Sequence, residues 1–312
     1  MRNHENIAYH QEELADCGAV QLCYDSFGDP ANSPILLIMG LATQMVHWHS
    51  EFCKSLAAKG FWVIRFDNRD IGKSTTLRHL PPPSMLKLGA HRYFKTPFSA
   101  AYTLDDMAED AVQLMNQLGI YSAHLIGASM GGMISQLIAL NHPERVMSLT
   151  CIMSSTGEAK LMRPEIQVLL TILKPAAKNR AAHINQSLNM WRILHGTHFP
   201  FPENEFRQTI ISAYERGISA AGILRQMAAI AVSPDRTSRL KQLHIPTLII
   251  HGKADKLLPV KNGHALAKAI PDSKLHLING MGHTLPQQVW PEIIMAFTAL
   301  VAAAETKTGN EG

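Results

Sequence analysis

The stretch Ala123-His124-Leu125-Ile126-Gly127-Ala128-Ser129-Met130-Gly131-Gly132-Met133-Ile134-Ser135-Gln136 decides how the whole chain is read. Leu125 and Ile126 read as the end of a buried strand, and an apolar, helix-forming run follows from Met130 to Leu140. Between them stands Gly127-Ala128-Ser129-Met130-Gly131, a G-x-S-x-G pattern. Strand, glycine-flanked serine and helix form the context that gives this pattern chemical meaning. The serine must sit on a tight turn so that its hydroxyl stands clear of the backbone. Glycines on either side let neighbouring elements approach that turn closely. The helix start behind it aims free N–H groups and a positive dipole end at the same place, where an oxyanion could form.

Working outward, the same alternation recurs. Pro34-Ile35-Leu36-Leu37-Ile38-Met39 and Phe61-Trp62-Val63-Ile64-Arg65-Phe66 are near-continuous apolar runs, as are Val146 to Met153 and Pro246 to His251. Such runs mark strands buried on both faces of a parallel sheet. Ala19 to Tyr24 alternates weakly and reads as a further strand, and Leu275 to Ile278 as the last. Helices are expected over His49 to Lys59 (stopped by Gly60), over a stripe of Met107, Ala111, Leu114, Met115 and Leu118, over Val260 to Ala269, and from Gln287 to Ala302. Thr103-Leu104-Asp105-Asp106 opens the second of these as a weak capping box, with Asp in place of Glu or Gln. Strand and helix in turn imply an α/β fold with helices on both faces of the sheet.

Two stretches break the alternation. Thr75 to Tyr102 holds Pro81-Pro82-Pro83 and Gly89 with short apolar pieces, and a connection of that length is often functional. Residues 155 to about 240 carry no convincing strand. They show four amphipathic stripes: Ile166, Leu169, Leu170 and Leu173, closed by Pro175; Ile184, Leu188 and Trp191; Phe206, Ile210, Ile211 and Tyr214; Ile223, Leu224, Met227 and Ile230. This reads as an insertion of three to five short helices, whose stripes are mostly its own core, with Met190 or Trp191 as candidates to face a cleft. The polar residues 1–17 are expected to be loosely held, and the tail after Ala304 disordered.

The totals exclude several classes. Net charge is +4 over 312 residues, spread without a Lys/Arg block, so nucleic-acid binding is not suggested. Cys17, Cys23, Cys53 and Cys151 form no C-x-x-C pair and no disulfide framework is expected. No signal-like apolar segment opens the chain and no run is long enough to span a membrane, so a cytoplasmic protein is expected. His47 and His49 form an H-x-H pair without a downstream Asp-His cluster, and are read as ordinary polar residues with no metal.

A serine hydroxyl needs a base beside it and a group to orient that base. In an open parallel sheet both belong on loops past the C-terminal ends of strands. Asp255 follows the strand ending at His251, and His283 follows the strand ending at Ile278. The candidate catalytic residues are therefore Ser129, Asp255 and His283. Two backbone donors are needed for an oxyanion. One is the N–H of Met130, the residue after the serine; the other is assigned to Leu41, after Gly40 at the end of an early strand.

The order Ser, Asp, His is that of the α/β-hydrolase triad, and the chain resembles the α/β-hydrolase fold superfamily over nearly its full length. Ile38-Met39-Gly40, Arg65-Phe66-Asp67-Asn68-Arg69-Asp70-Ile71-Gly72-Lys73-Ser74, Tyr102 to Met107 and Gly127 to Gly132 are similar to the serine carboxylesterase group that includes aclacinomycin methylesterase. The His-Gly usual before the oxyanion loop is Met39-Gly40 here, as in that group. The resemblance implies a mostly parallel sheet of the eight-stranded type, with a helical cap inserted after the sixth strand. The core would be 1–154 and 241–312, and the cap 155–240. It implies hydrolysis of a small or medium carboxylic ester through an acyl-enzyme, without cofactor. Asp67, Arg69 and Asp70 are read as charges bracing loops, and Met39, Met130 and Met281 as lining an adaptable apolar pocket. Other chemistries on the same triad (cofactor-free perhydrolysis, C–C bond hydrolysis, peptidase action) and a non-catalytic binding protein of this fold stay open. An epoxide or haloalkane hydrolase would need a carboxylate where Ser129 stands. The physiological substrate and the oligomeric state are not readable from the chain.

Overall fold

The computed structural model describes residues 6–94, 96–172, 177 and 179–308. Among them lies one eight-stranded sheet. Its strands are β1 (Tyr9–Asp16), β2 (Gln21–Phe27), β3 (Ser33–Ile38), β4 (Phe61–Phe66), β5 (Ala123–Ala128), β6 (Val146–Ile152), β7 (Thr247–Gly252) and β8 (Lys274–Ile278). They lie in the order β1-β2-β4-β3-β5-β6-β7-β8. The pairs β1–β2 and β2–β4 are antiparallel and the rest are parallel. The chain steps from β3 to β4 on one side and then returns to place β5 on the other. The loops leaving β3 and β5 therefore flank the point where strand order reverses, the place where open α/β sheets build their sites.

The central strands, β3 to β7, are apolar on both faces because both are covered. Leu36 and Ile38 of β3 pack with Leu125 and Ile249, under helices α3 (Leu104–Gln117), α4 (Met130–Asn141) and α10 (Lys261–Ala269). Ile35 and Leu37 point the other way, to Ile126, Ile152 and Ile250, under α1 (Ser50–Ala57) and α11 (Trp290–Thr308). Each such side chain contributes about 1.5–3 kcal/mol when fully buried. The box at Thr103 is complete despite its Asp: Thr103 Oγ1 accepts from Asp106 N–H at 3.1 Å, and Asp106 accepts from Thr103 N–H at 2.7 Å.

The N-terminal expectation is corrected. Residues 9–16 are not loose but form the edge strand β1, paired antiparallel with β2. Most of its side chains are exposed, so no alternation betrays it. Its order comes from backbone pairing and from bonds such as Tyr9 Oη to Asp25 at 3.0 Å and Tyr24 Oη to Glu13 at 2.9 Å. A polar edge also resists pairing with other chains. The tail expectation is corrected too: α11 runs to Thr308, past the Ala302-Ala303-Ala304 run that favours helix. Residues 309–312 lie outside the described residues, as do Leu173 and Pro175.

Between Thr75 and Tyr102 the irregular segment contains α2 (Met85–Phe94), which packs against α8 (Ala220–Val232). Between β6 and β7, α8 is joined by α5 (Ile166–Ile172), α6 (Arg180–His195), α7 (Glu203–Arg216) and α9 (Thr237–Leu240). Ile184, Leu188 and Ile210 form a small core there, with Trp191, Phe201, Phe206 and Ile211 against it. The second and third stripes are thus mainly internal packing. The first is not, since Ile166 and Leu170 are 68% and 60% exposed, and Ile230 of the fourth packs against the core beneath the sheet. Trp191 also meets the ring of His47 at 5.4 Å, where the inserted helices touch the loop after β3.

Charged pairs join this insertion to the sheet. Arg225 of α8 grips Asp70 with Nε and Nη2 at 2.7 and 2.6 Å, and its Nη1 donates to Leu80 O at 2.7 Å. Both side chains are 1% exposed or less. Burial pushes the Asp70 carboxyl pKa up, but the Arg225 bonds and the Leu77 N–H outweigh it, and the net shift is downward. A depressed carboxyl adds stability above its unfolded pKa and loses it as pH falls through the folded value. Arg225→Met would strand a buried carboxylate. It is expected to cost about 3–5 kcal/mol, read as a lower urea midpoint at unchanged slope.

Candidate active site

Ser129 sits at the end of β5 with φ 55 and ψ −116, and α4 begins at the next residue. This backbone region is costly for a residue with a side chain and persists only where its surroundings enforce it. The two flanking glycines show how. A Cβ on Gly131 would lie 2.0 Å from Ile38 O, and one on Gly127 would lie 2.3 Å from Gly131 O. The turn is therefore wedged against β3. Ser129 N–H donates to Ile152 O at 2.9 Å, and Ser154 Oγ donates to Ser129 O at 2.8 Å.

The structure brings the three predicted side chains together from the ends of three strands. His283 Nε2 lies 3.0 Å from Ser129 Oγ, and His283 Nδ1 lies 2.7 Å from Asp255 Oδ2. The other carboxylate oxygen, Oδ1, accepts from the N–H groups of Leu257 and Leu258, both at 2.9 Å. An ionised carboxylate only accepts, so the imidazole proton belongs on Nδ1 and Nε2 is left to accept from the serine hydroxyl. Asp255 is 5% exposed and His283 6%, so little water competes for these bonds.

The loop after β3 lies against the same serine. A Cβ on Gly40 would stand 3.2 Å from Ser129 Cβ. Leu41 follows it, and among the described residues no hydrogen bond uses the Leu41 N–H. Met130 is the first residue of α4, where backbone N–H groups lack intrahelical acceptors. The two predicted donors thus flank Ser129 from adjacent strands.

Asp67, Arg69 and Asp70 brace loops, as expected. Asp67 accepts from Met45 N–H at 2.7 Å and Lys73 N–H at 3.0 Å, and also pairs with Arg216. Arg69 grips Asp110 of α3 at 2.5 and 2.6 Å. His49 caps α1, accepting at Nδ1 from Glu51 N–H at 3.2 Å. His47 Nδ1 meets Gln44 O at 3.1 Å, and burial holds its pKa down at about 4. The methionine expectation is corrected. Met130 and Met281 are wholly buried and Met39 is 9% exposed, and all three belong to the two cores that clamp the sheet.

Several supporting groups carried no readable signal. His283 N–H donates to Leu194 O at the end of α6 at 2.7 Å, and Thr284 Oγ1 meets His195 Nδ1 at 2.9 Å. His251 Nε2 donates to Leu258 O at 2.8 Å and lies 3.6 Å from Asp255 Oδ2; burial lowers its pKa. It stays neutral and stiffens the turn that holds Asp255. Gln226 of α8 reaches the loop after β3, with Oε1 accepting from Ala42 N–H at 3.1 Å. A polar residue inside the apolar stripe from Ile223 to Ile230 is the one hint the sequence offers, and its partners are far away in the chain.

A strand-turn-helix serine at the switch point, joined to an acid and a histidine in that chain order, defines a class. The profile of the alpha/beta hydrolase fold family matches residues 33–286, and the chain belongs to that family. Within it, the chain is similar to the rhodomycin D methylesterase of Streptomyces peucetius. The two are 30% identical over 91% of this chain and 96% of that one. The rhodomycin D methylesterase of Streptomyces sp. (strain C5) is 29% identical over the same shares. In fold, the chain is similar to the 2-hydroxy-6-oxo-6-phenylhexa-2,4-dienoate hydrolase of Rhodococcus sp. strain RHA1. The TM-score is 0.73 at 17% identity, covering 95% of this chain and 99% of that one. Among the described residues no helix is long and apolar enough to cross a membrane.

Proposed function

We propose that this chain is a serine carboxylesterase. Ser129 Oγ attacks the carbonyl carbon of an ester while His283 Nε2 takes its proton. The Leu41 and Met130 N–H groups bind the oxyanion of the tetrahedral intermediate. Collapse breaks the bond to the alcohol oxygen, and His283 returns the proton to that leaving group. Water, deprotonated by His283, then attacks the acyl-enzyme; the acid leaves and Ser129 regains its hydrogen. Asp255 holds the imidazole tautomer and stabilises its charged form. No step calls on a cofactor.

The observation that carries this reading is the unbroken relay of hydrogen bonds from Asp255 through His283 to Ser129. The relatives narrow the bond: two chains that match over nine-tenths of this one are methylesterases by name. Methyl esters of carboxylic acids are accordingly the substrate class we put first. In the same reading, residues 155–240 form a cap over a core of 1–154 and 241–312. The bonds of α6, α7 and α8 to the site's loops support that division. The four buried free thiols suit a reducing, cytoplasmic setting.

A panel tests the reaction class: methyl and p-nitrophenyl esters of increasing acyl length, with and without peroxide, beside a peptide and a C–C hydrolase substrate. Ester turnover above all other activities is expected. Turnover confined to peroxide, the peptide or the C–C substrate would keep the triad but overturn the esterase assignment.

A further inference from the structure

The loop after β3 must present an N–H to a developing oxyanion, yet its shape is not one the backbone takes unaided. Ala42 stands at φ 61, a left-handed conformation that disfavours a residue with a side chain. Its neighbours are tied down individually. Met39 O accepts from Asn68 Nδ2 at 3.0 Å, Gly40 O from Thr43 Oγ1 at 2.8 Å, and Met45 N–H donates to Asp67 at 2.7 Å. The bend itself is held from the insertion. Gln226 Oε1 accepts from Ala42 N–H at 3.1 Å while its Nε2 donates to Arg69 O at 2.8 Å. Gln226 has no exposed surface, and the adjacent Arg225 fixes that turn of α8 to Asp70. The amide is therefore oriented at both ends and stiff at its root.

We propose that Gln226 is a positioning residue for the oxyanion site: by gripping Ala42 N–H it fixes the left-handed bend that aims the preceding N–H, that of Leu41, at the carbonyl oxygen above Ser129. The inference rests on Ser129 being the nucleophile. It makes α8 part of the frame that stabilises the transition state. Helix α8 then stays seated through the catalytic cycle, and substrate enters past other elements.

The test begins with wild-type protein. If it hydrolyses no ester and takes no fluorophosphonate, the esterase reading itself has failed. If it is active, Gln226→Met, close in shape but unable to make either bond, isolates the inference. The Leu41 donor is displaced in this variant, not deleted. So kcat is expected to fall about 10- to 100-fold, with KM within about threefold of wild type. Inhibition by an alkyl trifluoromethyl ketone, whose serine adduct places an oxyanion in the same site, should weaken by the same factor as kcat. A kcat within about threefold of wild type with unchanged ketone inhibition would overturn the proposal, whatever happens to the melting temperature. Should that variant not fold, Gln226→Glu decides. Burial raises a carboxyl's pKa, and the protonated group mimics the amide, accepting from Ala42 and donating to Arg69. The ratio of variant to wild-type kcat should then rise as pH is lowered; a flat ratio would overturn the proposal.

Discussion

Ser129→Ala is expected to lower kcat/KM for a p-nitrophenyl ester by about 10⁴- to 10⁶-fold. Oγ is the only heavy atom removed, and the fold should be untouched, because alanine keeps the same positive-φ turn at φ 55. Residual turnover would come from the Leu41 and Met130 donors and from binding alone. A paired prediction concerns strain. Ser129→Gly should be equally inactive yet more stable, by about 1 kcal/mol, since glycine relieves the side-chain clash of this backbone region but loses more freedom on folding. A glycine variant less stable than the alanine variant by about 0.5–1 kcal/mol, the entropy that glycine loses on folding, would mean that the turn stores no strain. Activity of the alanine variant within tenfold of wild type would remove Ser129 from the chemistry.

Asp255→Asn is expected to cost about 10⁴-fold in kcat with little change in fold. The reason lies in the direction of two sets of bonds. Oδ1 already accepts from two backbone N–H groups, Leu257 and Leu258. An asparagine would therefore keep its oxygen there and turn its NH₂ toward His283 Nδ1. The imidazole would respond by accepting at Nδ1 and carrying its proton on Nε2. That nitrogen could then no longer accept from Ser129 Oγ, although the distances would barely change. A loss of kcat with an unaltered melting temperature is the expected signature. An equal loss of stability would instead show that the carboxylate is mainly structural.

The parts of this molecule that were legible in the chain are those decided by local rules. Continuous apolar runs at β3 and β4 announced strands covered on both faces. Glycines around Ser129 announced a turn with no room for a Cβ. Once the serine was placed after a strand, Asp255 and His283 followed from the demand that its partners also lie past strand ends. The hidden parts depend on contacts that no local pattern encodes. Strand β1 is held by pairing and a few polar bonds, with most of its side chains in water, so periodicity could not reveal it. Gln226 and Arg225 stand among apolar helix residues, and nothing local marks them, because their partners Ala42 and Asp70 lie 184 and 155 residues away. The methionines misled for the opposite reason: an apolar residue beside a site and an apolar residue beneath it look alike in one dimension.

Catalysis by this site requires that Ser129 Oγ be activated by its neighbours. The most direct measurement is to treat the protein with a fluorophosphonate and locate the adduct by peptide mass spectrometry, with Ser129→Ala in parallel. One phosphonyl group per chain, on Ser129, and none on the variant is the result predicted. An unlabelled wild-type chain, or a label carried by a different residue and retained by the variant, would contradict it.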